Sequence, residues 1–564
     1  MPRIQCQHPK TKSRLDKDLS PHILRTKGGA VNRIARITLI AILVPFLLHA
    51  QTERWVYPYN GQGTGNINDQ GYSVTYGRDG NIYAAGHSTD NVNNTGRDLT
   101  ILKFATTGTL QWVYTYNATG GVNDYAYEIL YGIDENIYAA GTRGVAPGFT
   151  VISVDTAGNE RWVYAYSGPS FSGAAYTITQ GDDGTIYAAG NTGDSLIAIS
   201  IDTAGNERWV YVDTTREGIA RSIAYGLDDH VYVCGEEFIG AGNTDFVLAR
   251  IDTGGNEQWV YRYDGPANAY DRGYTMTYGS NNKVYAGGSH MVKWPQTDMF
   301  VISIDTAGNE QWLYTYNGPG EYNDGAHDVI YGLDGNLYIA GYATDGVDDT
   351  DVKIISIDTT GTERWNYTYC GLQHSDHGSE IVYAPDNNLY AVGASYGPDY
   401  SFSKDFVVWC VDTAGQELWV YRYDGANGWV DAGVSIVYGA DSNLYAAGTS
   451  QETGTFDFTV LSLTTPELNV SEDNVQSSFL RPFSLAFLFS DKITLRFNET
   501  SQSPITIAMH DAAGTRVLER QLAVTPYTVT LRDKEIAHCA SGVYFLSIRS
   551  AQRTIGTAKL LKLK

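Results

Sequence analysis

Apolar and polar residues alternate in strand-length runs along most of this chain, and the runs return in one fixed order. From Arg54 to Leu463 a Trp-Val-Tyr run leads into Tyr-Gly-x-Asp-Gly-Asn, then Ile-Tyr-Ala-Ala-Gly, then Val-Ile-Ser-Ile-Asp-Thr-Ala-Gly-Asn-Glu. Such runs, broken by Gly/Asn/Asp clusters, predict β-strands joined by tight turns. In the fifth repeat the predicted strands are Gly273–Tyr278, Lys283–Gly288, Asp298–Ile304 and Gln311–Tyr316. The turns Gly279–Asn282 and Asp305–Glu310 keep nearly constant length in every repeat, as hairpins require. The other connections vary, as in His87–Arg97, Asn191–Asp194, Ser289–Thr297 and Ala394–Lys404.

The central tyrosines fall at Tyr83, Tyr138, Tyr187, Tyr232, Tyr285, Tyr338, Tyr390 and Tyr445, spaced by 45 to 55 residues. That period, with four strands per repeat, predicts an all-β fold: an eight-bladed β-propeller. Constant turns then emerge on one face and variable loops on the other, where binding groups tend to sit. The first Trp-Val-Tyr strand has no three strands before it, and the last repeat has no Trp strand of its own. Arg54–Tyr59 is therefore expected to complete the eighth blade beside Gly433–Tyr438, Asn443–Gly448 and Asp457–Leu463, leaving no inner edge unpaired.

Charge is distributed unevenly. The net charge is -24, yet residues 51–463 hold 18 Lys/Arg against 52 Asp/Glu, whereas 1–50 and 464–564 are basic. A field of that sign repels nucleic acid and anionic membranes and favours solubility, cations or basic partners. The five cysteines share no regular spacing, and Cys234 and Cys410 occupy ordinary repeat positions, so small buried hydrophobes are expected rather than a disulfide framework. Residues 1–50 are read as a leader with a signal peptide. A short basic start at Val31, the expected true start, precedes an apolar run too short to span a membrane. After its removal no stable membrane span is expected. Residues 464–490 are a linker, and 491–564 carry six short alternating segments that predict a small antiparallel β-sandwich.

Two resemblances follow from these residues. The signature Asp-x-Ala/Gly…Tyr-Gly-x-Asp-Gly-Asn-x-Tyr-x-Ala-Gly…Asp-x-x-x-Ile-x-x-Asp-x-x-Gly…Trp over Arg54–Leu463 resembles the SBBP β-propeller repeats of secreted and cell-surface bacterial proteins. That resemblance implies a fold and an extracellular setting, not a chemistry. His510-Asp-Ala-Ala-Gly-Thr-Arg-Val517, Ala540-Ser-Gly-Val-Tyr-Phe-Leu546 and the basic end Lys559–Lys564 are similar to the C-terminal sorting domain of type IX secretion. Type IX machinery is thereby implied as a partner, without the family's usual Tyr-Pro-Asn-Pro opening.

Candidate chemistry is sparse. Asp69, Asp124, Asp271, Asp324, Asp376 and Asp431 recur where the variable face enters the first strand of a repeat, with Ser172 and Glu217 near the corresponding places in the other two. They are expected either to ring the channel mouth, where Ca2+ would find oxygen ligands, or to cap their own turns. Non-repeating aromatics on the variable face, namely Trp294, Tyr322, Tyr396, Tyr400 and Trp429, suit stacking on a glycan or contact with a cell-surface protein. His374-Ser-Asp-His377 is the one compact His/carboxylate cluster, short of the ligands that a structural zinc needs. The expected function is a non-enzymatic binding scaffold with no required cofactor. The alternatives are a quinoprotein-like oxidoreductase, because Asp155–Trp162 is similar to that family's docking motif, or a polysaccharide-active enzyme using the channel.

Overall fold

The computed structural model describes residues 52–465, apart from short segments within twelve loops (62–67, 90–95, 119–121, 147, 169–172, 241–242, 321, 347–348, 372–374, 398–402, 426–428 and 452–454), and seven strands between 488 and 562. The chain divides into two compact parts, residues 1–466 and 467–564. The leader lies outside the described residues. Among those described, no helix is long and apolar enough to cross a membrane.

The larger part is all-β and propeller-like. It contains six four-stranded antiparallel sheets and one seven-stranded sheet. The first unit is Gln70–Tyr76, Asn81–Ser88, Asp98–Ala105 and Leu110–Tyr116, and the second begins at Tyr125–Tyr131. The third and fourth are fused, because the 19-residue strand Glu207–Tyr225 pairs with Ser195–Ile201 through its first half and with His230–Gly240 through its second. The fifth, sixth and seventh begin at Asp271, Gly325 and His377. The last sheet holds Ala432–Tyr438, Asn443–Gln451 and Phe456–Thr464, and its outer strand is Glu53–Tyr59 from the other end of the chain. There Trp55 pairs with Ser462 and Tyr59 with Phe458.

The fusion departs from the expected loop and has a local reason. Six units open on an aspartate that folds the incoming chain into a tight loop. Glu217 replaces it in the fourth, and the chain runs on as strand, pairing with both Ser195 and Phe238.

The central strands of each unit are buried on both faces: Tyr83, Tyr138, Tyr187, Tyr232, Tyr285, Tyr338, Tyr390 and Tyr445 are all fully buried. Most of their hydroxyls are satisfied by the Asp of the preceding turn, as in Tyr83 to Asp79 at 2.7 Å and Tyr445 to Asp441 at 2.6 Å. That bond explains the four-residue spacing inside Tyr-Gly-x-Asp-Gly-Asn-x-Tyr.

Apolar clusters lie between units rather than within them. One joins Tyr83, Leu99 and Ile101 to Ala126, Ile129 and Ile152. Another joins Val74, Ile82 and Phe104 of the first unit to Tyr445, Phe458 and Val460 of the last, with Trp55 and Tyr57 against it. Seven of the outer-strand Trp residues, all but Trp419, reach across to a turn of the following unit. Trp55 Nε1 donates to Thr106 O at 3.0 Å and Trp162 Nε1 to Thr203 O at 3.1 Å. The indole lies on the turn glycine, which has positive φ: a Cβ on Gly108 would sit 2.6 Å from Trp55 Cγ. Only glycine permits that turn and that approach together. Tyr421 OH donates to Glu53 at 2.6 Å, repeating the tie that Tyr114 makes to Glu160. Cys234 and Cys410 are free and buried. Cys370 is disulfide-bonded, which its spacing did not foretell.

In the smaller part the six expected segments appear as strands. Ile505–Asp511, Arg516–Leu522, Gly542–Ser550 and Thr554–Lys562 belong to one sheet, and Lys492–Arg496 pairs with Thr528–Arg532. Leu488–Phe489, expected within the linker, adds to the first sheet in parallel beside Thr554–Lys562.

Deleting residues 52–59 removes the outer strand of the last sheet and the rings of Trp55, Tyr57 and Tyr59 from an inter-unit cluster. Urea unfolding is expected to show a larger loss of stability than trimming any variable loop. Trp55→Ala alone should cost about 3 kcal/mol, as for loss of a large packed aromatic. Unchanged unfolding midpoints would refute the packing role.

Candidate axial binding site

The first strand of every unit carries a β-bulge at the same place. The pairing slips between Gly71 and Ser73, Ala126 and Glu128, Ala175 and Thr177, and Ala220 and Ser222. It slips again between Gly273 and Thr275, Ala326 and Asp328, Gly378 and Glu380, and Gly433 and Ser435. A bulge sets two residues against one on the partner strand, so neighbours that would alternate can face the same side. Both members of each bulge line one cavity of about 350 Å3, to which all eight units contribute.

The bulged residues are Tyr72, Tyr127, Tyr176, Arg221, Tyr274, His327, Ser379 and Val434. Tyr72, Tyr127 and Tyr176 form a continuous aromatic wall, with ring centroids 5.9 and 5.1 Å apart. Tyr274 and His327 meet at 6.1 Å. Arg221 donates to Glu236 at 2.7 Å and lies over the Tyr176 ring.

The residues that follow are Ser73, Glu128, Thr177, Ser222, Thr275, Asp328, Glu380 and Ser435. Six of these side chains accept a backbone N–H that the bulge frees in the next unit. Ile129 N donates to Ser73 at 3.2 Å, Ile178 N to Glu128 at 2.7 Å, and Val329 N to Thr275 at 3.3 Å. Ile381 N donates to Asp328 at 3.0 Å and Ile436 N to Glu380 at 2.8 Å, and Val74 N donates to Ser435 at 3.1 Å, from the first unit to the last. Ser73, Thr275 and Ser435 do this work with a hydroxyl, and Glu128, Asp328 and Glu380 with a carboxyl. Burial pushes Glu128 up to about 7. Burial, then the Asp328 charge, pushes Glu380 up to about 8. Asp328 is raised by burial as well.

The six expected aspartates do something else. Gly61, Ala118, Gly265, Gly318, Gly371 and Gly425 donate backbone N–H to one oxygen of Asp69, Asp124, Asp271, Asp324, Asp376 and Asp431 at 2.5–2.9 Å. The other oxygen of each accepts from Thr89, Gly144, Met291, Thr344, Tyr396 or Gln451 at 2.8–3.1 Å. Each thus ties its entry loop to the end of the second strand. All six are buried, and none lines the axial cavity. Asp245 and Asp264 approach Asp271 closely enough to share an ion geometrically, but Arg216 already pairs with Asp245 at 3.4 Å.

The variable-face aromatics do not converge on the cavity. Trp294 is 78% exposed and Trp429 53%. Tyr322 is half-buried. Tyr396 ends its strand with the Lys404 ammonium 5.5 Å from its ring centre. Tyr400 and His374 lie outside the described residues, and His377 stands 6.3 Å from His327.

Sequence reasoning missed Glu128, Asp328 and Glu380. Their signal is a departure from Ser/Thr at one column of the repeat, two residues after the clamp-side Ala or Gly.

No protein-family profile matches the chain, and no curated protein does. Solved structures are similar to it at low levels. Sqt1 of Chaetomium thermophilum has 9% identity and a TM-score of 0.47, covering 73% of this chain and 98% of that one. The WD40 domain of Toxoplasma gondii coronin has 10% and 0.38, covering 74% and 88%. PorZ, a surface component of the type IX secretion system of Porphyromonas gingivalis, has 12% and 0.31, covering 88% and 74%. At such values neither activity nor partner passes from these proteins to this chain.

Two outcomes follow. The folded chain keeps protons on these carboxyls that an unfolded chain would release, so stability falls as pH rises from about 4 to about 8. Glu128→Gln or Glu380→Gln, which keeps an acceptor oxygen, should raise the melting temperature at pH 8.5 by about 2–4 °C and leave it unchanged at pH 4. Melting curves indistinguishable from wild type at pH 8.5 would refute the assignment. Asp324→Ala strands two backbone amides and should cost about 2 kcal/mol in urea unfolding; a loss below about 0.5 kcal/mol would contradict the clamp.

Proposed function

We propose that this chain is a secreted or cell-surface β-propeller of eight blades, closed by Glu53–Tyr59, that acts as a non-enzymatic binding scaffold. Its binding site is the axial cavity. The observation that supports this reading is the bulge repeated at one level in all eight units, which sets two side chains per unit toward a common space. Scaffolds of this kind support many activities, so the assignment rests on the site and not on the fold. The C-terminal part, through its sorting-like residues, is proposed to direct export by type IX machinery. Trp294 and Trp429 offer exposed flat faces of the sort that sugar rings or a partner protein cover.

The quinoprotein alternative loses its support from Asp155–Trp162. That motif is occupied in packing: Asp155 accepts from Ala157 N of its own turn at 2.9 Å, and Trp162 lies on Gly205 of the next unit.

The test is on intact cells of a bacterium that has type IX secretion. The full chain should be accessible to added protease at the surface or found in the medium, and a chain ending at residue 490 should be retained in the periplasm. Full protection of the complete chain, or export of the shortened one at equal yield, would overturn the reading.

A further inference from the structure

The junction between the fourth and fifth units departs from the others in charge. At six junctions the sequence repeats an Asp near the start of a third strand, a residue just after the outer strand, and the clamp Asp of the next unit. The middle residue is Asn60, Asn117, Asn317 or Cys370 at four of them, and Asp264 or Asp424 at the other two. An asparagine there joins its neighbour without added charge: Asn117 Nδ2 donates to Asp98 at 2.8 Å. An ionised aspartate can only accept, so Asp264 and Asp424 each add a carboxylate where the other junctions have none.

The two acidic junctions are compensated differently. After the seventh unit, Arg422 donates to Asp405 at 2.7 Å. Arg262 holds the same place after the fourth unit, but Glu237 takes two of its N–H groups, at 2.7 and 2.8 Å. Asp245, the counterpart of Asp405, is left with Arg216, which reaches its Oδ2 at 3.4 Å and is shared with Glu237 at 3.3 Å. Asp245 is only 8% exposed, and its Oδ1 is buried with no hydrogen-bond partner. Burying a carboxylate oxygen unpaired is costly, and a bound cation removes that cost.

Asp245, Asp264 and Asp271 bring one oxygen each within 4.8 Å of one another, and no other such group of acids, histidines or cysteines forms among the described residues. The amides of Gly265 and Met291 use one lone pair on each Asp271 oxygen, which leaves the second available to a ligand. Asp264 is exposed, so the group is open to solvent on its side.

We propose that Asp245, Asp264 and Asp271 hold one calcium ion, with water completing its shell. Three carboxylates with an open side suit a large, hard cation that takes six to eight oxygen ligands in irregular geometry. None of the three lines the axial cavity, so this site stands apart from the one assigned above.

The test is isothermal titration calorimetry and thermal melting of residues 51–564, stripped with EDTA and held at constant ionic strength. Calcium should bind saturably at one site per chain and raise the melting temperature, with a clearly smaller shift from magnesium at the same concentration. Asp264→Asn installs the residue of the neutral junctions. It should weaken calcium binding about tenfold or more, while melting in EDTA is unchanged or raised. Asp424→Asn, at the junction where Arg422 already compensates, should leave calcium affinity unchanged. Absence of heat with calcium, an equal shift with magnesium, undiminished binding in Asp264→Asn, or an equal loss in Asp424→Asn would overturn the assignment.

Discussion

The structure depends on one contact repeated between neighbours: an indole laid on a turn glycine, with its N–H on a carbonyl of the same turn. A four-stranded sheet with two apolar faces has no stable existence by itself, since each face needs another sheet against it. The Trp–Gly contact sets how close the next sheet comes and at what height. The buried tyrosines, the inter-unit Tyr–Glu ties and the apolar clusters all follow from that spacing. It also explains why Glu53–Tyr59 belongs with the last three strands. Without it the final sheet would lack Trp55, and the turn at Gly108 would face solvent where every comparable turn faces a ring. One irregularity marks the junction: Leu110 stands where other units place the Glu that receives a tyrosine hydroxyl, so Tyr57 lacks the tie that Tyr421 makes to Glu53.

Much of this was legible in the sequence because repetition multiplies weak signals. A single Gly-x-Asp-Gly-Asn is only a turn, but eight versions of it at near-constant spacing fix four strands and two turns per unit. The pairing of the two chain ends was legible for the same reason, as one strand missing at one end and one surplus at the other. The number and places of the C-terminal strands followed from alternation alone, whereas their ends did not in most cases, nor did the parallel addition of Leu488–Phe489, because two residues carry no period.

The binding cavity was hidden by the rule that made the strands visible. Alternation assigns Tyr127 and Glu128 to opposite faces, and only a bulge places both on one side. A bulge leaves no mark in an apolar/polar pattern when both residues have polar ends. The prominent aspartates drew attention instead, since they recur at an entry loop. Recurrence itself was the clue to their role: a group needed by six units alike serves the unit, as the double amide clamp of Asp324 shows. Specific binding is to be sought where units differ, and at the bulge column three acids interrupt a run of hydroxyls.

The most direct measurement of the account is a cross-link between the two ends of the larger part. Tyr57 and Val460 are direct partners in the last sheet, at a separation that a disulfide bridges when both are cysteine. The Tyr57→Cys, Val460→Cys double variant, oxidised while folded, should form that bridge in essentially every molecule, seen as faster migration on a non-reducing gel and by peptide mapping. A folded double variant whose two introduced thiols remain fully reactive to alkylation after oxidation would show that the first strand does not close the last sheet.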